Sequence, residues 1–291
     1  MLLLHPVAQI SLTQWTVHPS TVAGIVALAA LYLWAARAAG RRVPGTGPGT
    51  AQRTRFALGL VVMFVSLNGP LHDLSDTYLF SGHMVQHLLL TLLMPPLLLS
   101  GVTGEMLRPL LRAPVVAAIA RRLTTAGASF LIFNVAIAAW HLPPIYNSAM
   151  SSHGVHIGQH LMFMAVAVLM WWPFLSPLPE LPRLAYPGQM LYCFLMSIPM
   201  SIVAIYIAMA DSALYPAYAF APRIWGISPL EDQLIGGLIM WIPGGLFFLG
   251  VMTVVFFKWQ ARDGADSTDG AQVGWVPAHE IDRRRAALQG R

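Results

Sequence analysis

Two short stretches of this sequence carry the residues best suited to chemistry. Phe80 to Leu99 reads FSGHMVQHLLLTLLMPPLLL and His156 to Pro173 reads HIGQHLMFMAVAVLMWWP, so H-x-x-Q-H heads two apolar runs, each of which reaches a proline. Residues four apart share a helix face about 6 Å apart along the axis, so His83 and His87 point at one object, as do His156 and His160. Histidine is scarce, ten in 291 residues, which makes a doubled pair informative. A lone histidine within an apolar segment is commonly an interhelical hydrogen-bonding residue. Matched pairs at matched depth point instead to a four-imidazole pocket able to hold zinc, copper, iron or nickel. Gln86 and Gln159, three residues after each leading histidine, share its face and are candidates to fix ring orientation.

The elements that position these side chains follow from composition. The chain is 56% hydrophobic and 10% charged, against roughly 25% charged in soluble domains, which makes it an integral membrane protein. Long unalternating apolar runs predict helices rather than a barrel. Seven spans are expected, near 20–39, 55–71, 78–100, 124–141, 155–175, 188–210 and 232–257. They form an all-α domain over 1–258, followed by a flexible cytoplasmic tail over 259–291. Sixteen of the seventeen Lys and Arg residues fall on one side of these spans and only Arg223 on the other, so the N-terminus is expected outside and the C-terminus in the cytoplasm. The basic charge thus reports topology, not nucleic-acid binding, and the expected location is a bacterial cell membrane, crossed several times. No cleavable leader is evident in the first fifteen residues.

With that topology, His18, His72, His83, His87, His141, His153, His156 and His160 gather at the extracytoplasmic membrane level, with His5 outside and His279 in the tail. Asp73, Asp76, Asp211, Glu231 and Asp232 also fall at outer span ends. The loop Asp211 to Leu230, rich in Tyr, Trp and Pro, is expected at headgroup level over the histidine layer. Gly104 to Leu123 reads as an interfacial cytoplasmic helix. The metal-ligand candidates are His83, His87, His156 and His160, then His141, His153 and His72 at the rim. Asp232 and Glu231 are candidates to balance a cation's charge or to cap a helix. Among the fifteen methionines, Met84, Met150, Met200 and Met209 have the depth to matter for soft copper(I). The single cysteine, Cys193, starts a span on the inner side and excludes an internal disulfide.

Four segments carry a family resemblance: FSGHMVQHLLLTLLMPPLLLSG, WHLPPIYNSAM, HIGQHLMFM with WWP, and SPLEDQLIGGLIMWIPGG. Together, from Leu58 to Phe257, they resemble the CtaG-type cytochrome c oxidase assembly factors, a family of seven-span membrane proteins. The resemblance implies help in maturing a haem-copper oxidase by delivering or inserting copper on the outer side. The positions that carry over are His83, His87, His141, His156, His160 and Asp232. Copper is the expected metal, oxidase subunits and the bilayer the expected partners, and a soluble extracytoplasmic copper donor a further candidate. The expected role is metal handling, not catalysis. Two other classes use the same histidines: a b-type haem protein with bis-histidine ligation, and a di-iron or zinc membrane enzyme drawing on the outer carboxylates. A purely structural scaffold is a third reading.

Overall fold

A computed structural model describes residues 15–274, with side chains described through residue 263; His5, His279 and residues 275–291 lie outside the described part. The described residues contain helices and no strand. The helices are α1 (Pro19–Arg42), α2 (Thr50–Leu67), α3 (Gly69–Asp73), α4 (Phe80–Leu88), α5 (Met94–Gly101), α6 (Gly104–Leu107), α7 (Pro114–Leu123), α8 (Ala126–His141), α9 (Pro143–Ser151), α10 (His153–Leu175), α11 (Tyr186–Ala208), α12 (Pro216–Ala219) and α13 (Pro229–Gly274). Five helical stretches are long and apolar enough to cross a membrane, and seven if each of two bent pairs is one span. The bent pairs are Thr50–Leu67 with Gly69–Tyr78, at 46°, and Pro114–Leu123 with Ala126–His141, at 75°.

The first bend has a local cause. Gly69 adopts φ +66°, open to glycine without a Cβ penalty, and Pro70 follows it. The Asn68 side-chain oxygen accepts from the His18 backbone N–H at 2.8 Å, and Gly69 N–H donates to the Thr16 carbonyl at 2.8 Å. These bonds tie the start of α1 to the bend. Between α6 and α7, Pro109 and Pro114 interrupt Gly104 to Leu123, which is therefore not one interfacial helix but α6, a 3-10 turn over Arg108–Arg112, and α7. At the other end, α13 runs past residue 258, the expected limit of the membrane unit. No proline occurs between Pro243 and Pro277, so backbone chemistry does not stop the helix there.

The stretch Phe80 to Gly101 lies at the centre, against α2, α10 and α13. A π-helical turn at Leu89–Leu93 separates α4 from α5. Pro95 supplies no N–H for the Thr91 carbonyl, four residues earlier, and Trp171 Nε1 of α10 donates to that carbonyl at 2.9 Å. The proline break is thus turned into a tie between the two histidine-bearing segments. A second π turn, Leu74–Tyr78, precedes α4 and carries Asp76 inward. Close backbone approach sets α13 beside α11 and α4. A Cβ on Gly237 would stand 3.0 Å from the Ala204 carbonyl oxygen, and one on Gly236 would stand 2.4 Å from the Phe80 ring.

Candidate metal centre

α4 and α10 each present their histidine pair on one face, and the two faces meet. Ring centroids stand 4.0 Å apart for His83 and His87, 4.5 Å for His156 and His160, 5.9 Å for His83 and His156, 6.0 Å for His83 and His160, and 5.8 Å for His87 and His160. All four are buried. His141, closing α8, joins them with its ring 6.0 Å from that of His87. Its Nδ1 lies 2.7 Å from the Ile137 carbonyl. A carbonyl only accepts, so Nδ1 carries the proton and Nε2 keeps its lone pair. That nitrogen is buried and has no hydrogen-bond partner.

Asp76 completes the group. Its Oδ2 is 3.3 Å from His156 Nε2 and 3.5 Å from His72 Nε2, and His156 Nε2 is 2.9 Å from His160 Nε2. Among the described residues, Asp76, His156 and His160 are the metal-ligand types whose donor atoms already converge, all lying within 4.8 Å of one another. Asp76 stands in the sequence as one outer carboxylate among five. The signal for it was the i, i+4 spacing from His72, which places both on one helix face. Ion-pair partners of this buried carboxylate among the described residues are imidazoles alone. A charge so placed needs a cation, either a protonated ring or a metal ion.

The other candidate residues divide. His72 is buried beside Asp76, and its ring packs 4.5 Å from that of His18. His153 is exposed at the start of α10 and lines the same cavity as Asp76. Gln86 does not hold the rings of its own helix. Its amide donates to the Ser66 carbonyl at 2.7 Å and meets His72 Nδ1 at 3.2 Å. Gln159 is buried with both amide atoms unpartnered. Asp232 does not face the rings; its carboxylate accepts from the backbone N–H of Phe80 at 2.7 Å and of Ser81 at 3.1 Å, and from the Ser81 hydroxyl at 2.5 Å. Asp232 caps α4 from 152 residues away, clamping α13 to the N-terminus of the helix that carries His83 and His87. Glu231 is exposed and forms a capping box with Ser228, accepting from the Ser228 N–H at 2.8 Å. Of the methionines, Met84, Met150 and Met200 are buried, while Met209 is 74% exposed. Cys193 lines a different cavity with Ser197, Gly245 and Phe248.

Aromatic side chains close the centre. Tyr218, in the loop before α13, donates to the Ser75 carbonyl at 2.6 Å and pairs with the Tyr146 hydroxyl at 2.9 Å. Burial holds its phenol well above the ordinary tyrosine range, so it stays a donor. Tyr215 donates to the His141 carbonyl at 2.8 Å, and Phe163 packs 4.6 Å from the His87 ring. The sequence signal for this roof was the Tyr-rich outer loop. Tyr146 stands 5.4 Å from His83 on one side and Phe163 packs against His87 on the other.

Comparison with known proteins places these features in context. The profile of a family described as cytochrome c oxidase caa3 assembly factor matches residues 30–262. Two curated relatives, uncharacterized proteins of Mycobacterium bovis and Mycobacterium tuberculosis, are each 24% identical over 201 residues, covering 64% of this chain. The chain spans about 30% of the length of these relatives. No solved structure matches it.

Proposed function

The chain belongs to the cytochrome c oxidase caa3 assembly-factor family, and we propose that it serves the oxidase by carrying copper in the buried histidine cluster. In this reading copper is cargo. It arrives on the extracytoplasmic side from a soluble donor, sits among His83, His87, His141, His156 and His160 beside Asp76, and passes within the bilayer to an oxidase subunit. Seven spans support that placement, counting the two bent pairs as one each, with the N-terminus outside by the positive-inside distribution. The membrane is the bacterial cell membrane.

One observation carries the proposal. Seven ring nitrogens in the cluster are buried without a hydrogen-bond partner: both of His83, both of His87, Nε2 of His141, and Nδ1 of His156 and of His160. A stranded buried polar atom costs about 1–3 kcal/mol, and native proteins leave few of them unexplained. Each neutral imidazole offers one lone-pair nitrogen, and a borderline transition metal is what such buried donors satisfy. The chain's own groups account for the rest of the chemistry. The Ile137 carbonyl fixes the His141 tautomer, Asp76 offsets positive charge, Trp171 ties α10 to the stretch that carries His83 and His87, and Asp232 holds the start of α4 against α13.

Elemental analysis of the purified, tag-free protein tests this directly. Copper is expected in wild type after loading, and is expected to vanish when His83, His87, His156 and His160 are all alanine. Iron with a b-type absorption spectrum, or equal copper in both proteins, overturns the proposal.

A further inference from the structure

The face opposite the histidine cluster carries a different kind of binding surface. Lys258 lies about 39 Å along α13 from Asp232, more than the roughly 30 Å hydrocarbon thickness of a bilayer. On that side three cavities, of about 560, 420 and 420 Å³, share one wall residue, Arg183, in the connection between α10 and α11. The largest is a cleft between α5, α10 and α13. Phe174 of α10 and Phe247, Val251 and Val254 of α13 give it an apolar wall. Gly250 widens it, since a Cβ at that position would meet nothing within 4 Å. Its polar lining is confined to Arg183, Tyr186, Gln189 and Lys258.

The charge at that polar end is one-sided. Arg55 joins Arg183 on the wall of the second cavity, and Arg262 joins it on the third. Four cations thus line the three cavities against a single carboxylate, Asp263. All four are exposed, and among the described residues none has an ion-pair partner. Arg183 is held in place, because its Nε donates to the Ser176 carbonyl at 2.7 Å. A guanidinium anchored through Nε keeps its two terminal N–H groups for the oxygens of a phosphate. Tyr186 and Trp259, on the walls beside it, are the amphipathic aromatics that membrane interfaces favour. Basic residues on this face follow from topology alone; four of them around an apolar cleft that enters the membrane do not.

We propose that this surface binds an anionic phospholipid, with its phosphate at Arg183 and the cations beside it and one acyl chain in the cleft. Basic pockets between membrane helices recognise lipid headgroups in this way. The excess of cations selects a net negative headgroup, because a zwitterionic lipid brings its own positive charge to the same phosphate. The site is separate from the histidine cluster and does not depend on what that cluster holds.

The test uses the full-length, tag-free protein, delipidated in detergent, with native mass spectrometry for retained lipid and thermal unfolding for its effect. Phosphatidylglycerol, phosphatidylcholine with the same chains, and inorganic phosphate are added in parallel. Wild type is expected to retain one phosphatidylglycerol and to melt several degrees higher with it, and to show neither effect with the other two. Lys258→Gln and Arg55→Gln are each expected to raise the half-saturating lipid concentration about fivefold. Arg121→Gln, in a cation of α7 that lines none of the three cavities, is expected to leave it unchanged. Gly250→Leu, which fills the cleft from a position with open space, is expected to abolish retention while the lipid-free midpoint stays at the wild-type value. Equal effects of the two lipids mean general solvation by lipid and overturn the proposal. A shift reproduced by inorganic phosphate means a free-anion site and overturns it, as does no shift with any of the three. Equal losses in Arg121→Gln and Lys258→Gln mean diffuse attraction by the whole basic face and also overturn it.

Discussion

Asp232 offers a sharp test of how this fold holds its histidines. Its carboxylate receives three hydrogen bonds at the first residues of α4 and is fully buried. Asp232→Ala strands the Phe80 and Ser81 N–H groups where no water replaces the acceptor. At about 1–3 kcal/mol for each stranded group, the expected loss is roughly 2–6 kcal/mol. Asp232→Asn keeps one acceptor oxygen and turns an N–H toward donors, so an intermediate loss is expected. Thermal unfolding in detergent reads this at roughly 2–4 °C per kcal/mol for a domain of this size. Copper content of the fraction that stays folded is expected to persist in Asp232→Asn, because the carboxylate faces backbone and not metal. An unchanged midpoint in Asp232→Ala together with lost copper would refute the clamp and return Asp232 to charge balance at the centre.

Other outcomes follow from the same contacts. Gly236→Ala places a Cβ 2.4 Å from the Phe80 ring, and overpacking of about 1–3 kcal/mol is expected, whereas Gly127→Ala, with open space around it, leaves the unfolding midpoint within error. Tyr218→Phe removes the donor to the Ser75 carbonyl, and a loss of about 1–3 kcal/mol, read by the same melts, is expected where that acceptor is buried. Ligation needs neutral imidazole, so acidification is expected to release the metal. Equilibrium dialysis over a descending pH series checks this, and occupancy that stays flat until the protein unfolds contradicts imidazole ligation.

Much of the site was legible because membrane helices expose simple arithmetic. The i, i+4 spacing placed His83 with His87 and His156 with His160 on single faces, and matched depth brought the pairs to one level. His141 was reachable from its position at the end of a span. What stayed hidden depended on side-chain direction at chain breaks. Asp76 turns inward because a π turn follows the Gly69–Pro70 bend, and that local geometry is not written in periodicity. Asp232 and Gln86 lay at the right depth, but each side chain satisfied a nearer demand, the orphan N–H groups at the start of α4 and the Ser66 carbonyl. Interhelical hydrogen bonds of this kind are set by helix rotation, which a linear apolar pattern leaves open. The helical class followed from composition alone. The division of Gly104 to Leu123 into three pieces turned on Pro109 and Pro114, visible residues whose effect outweighed the amphipathic pattern around them.

The central claim is that the histidine cluster delivers copper to the oxidase. Its most direct measurement is the copper-to-haem ratio of the oxidase isolated from cells whose only copy of this protein carries His83→Ala and His160→Ala. The account predicts an oxidase whose subunits reach the membrane with their copper depleted several-fold relative to wild type. Full copper and full activity in that oxidase, with the variant protein present at wild-type level, would contradict it and leave the histidines as helix-packing groups in an assembly scaffold.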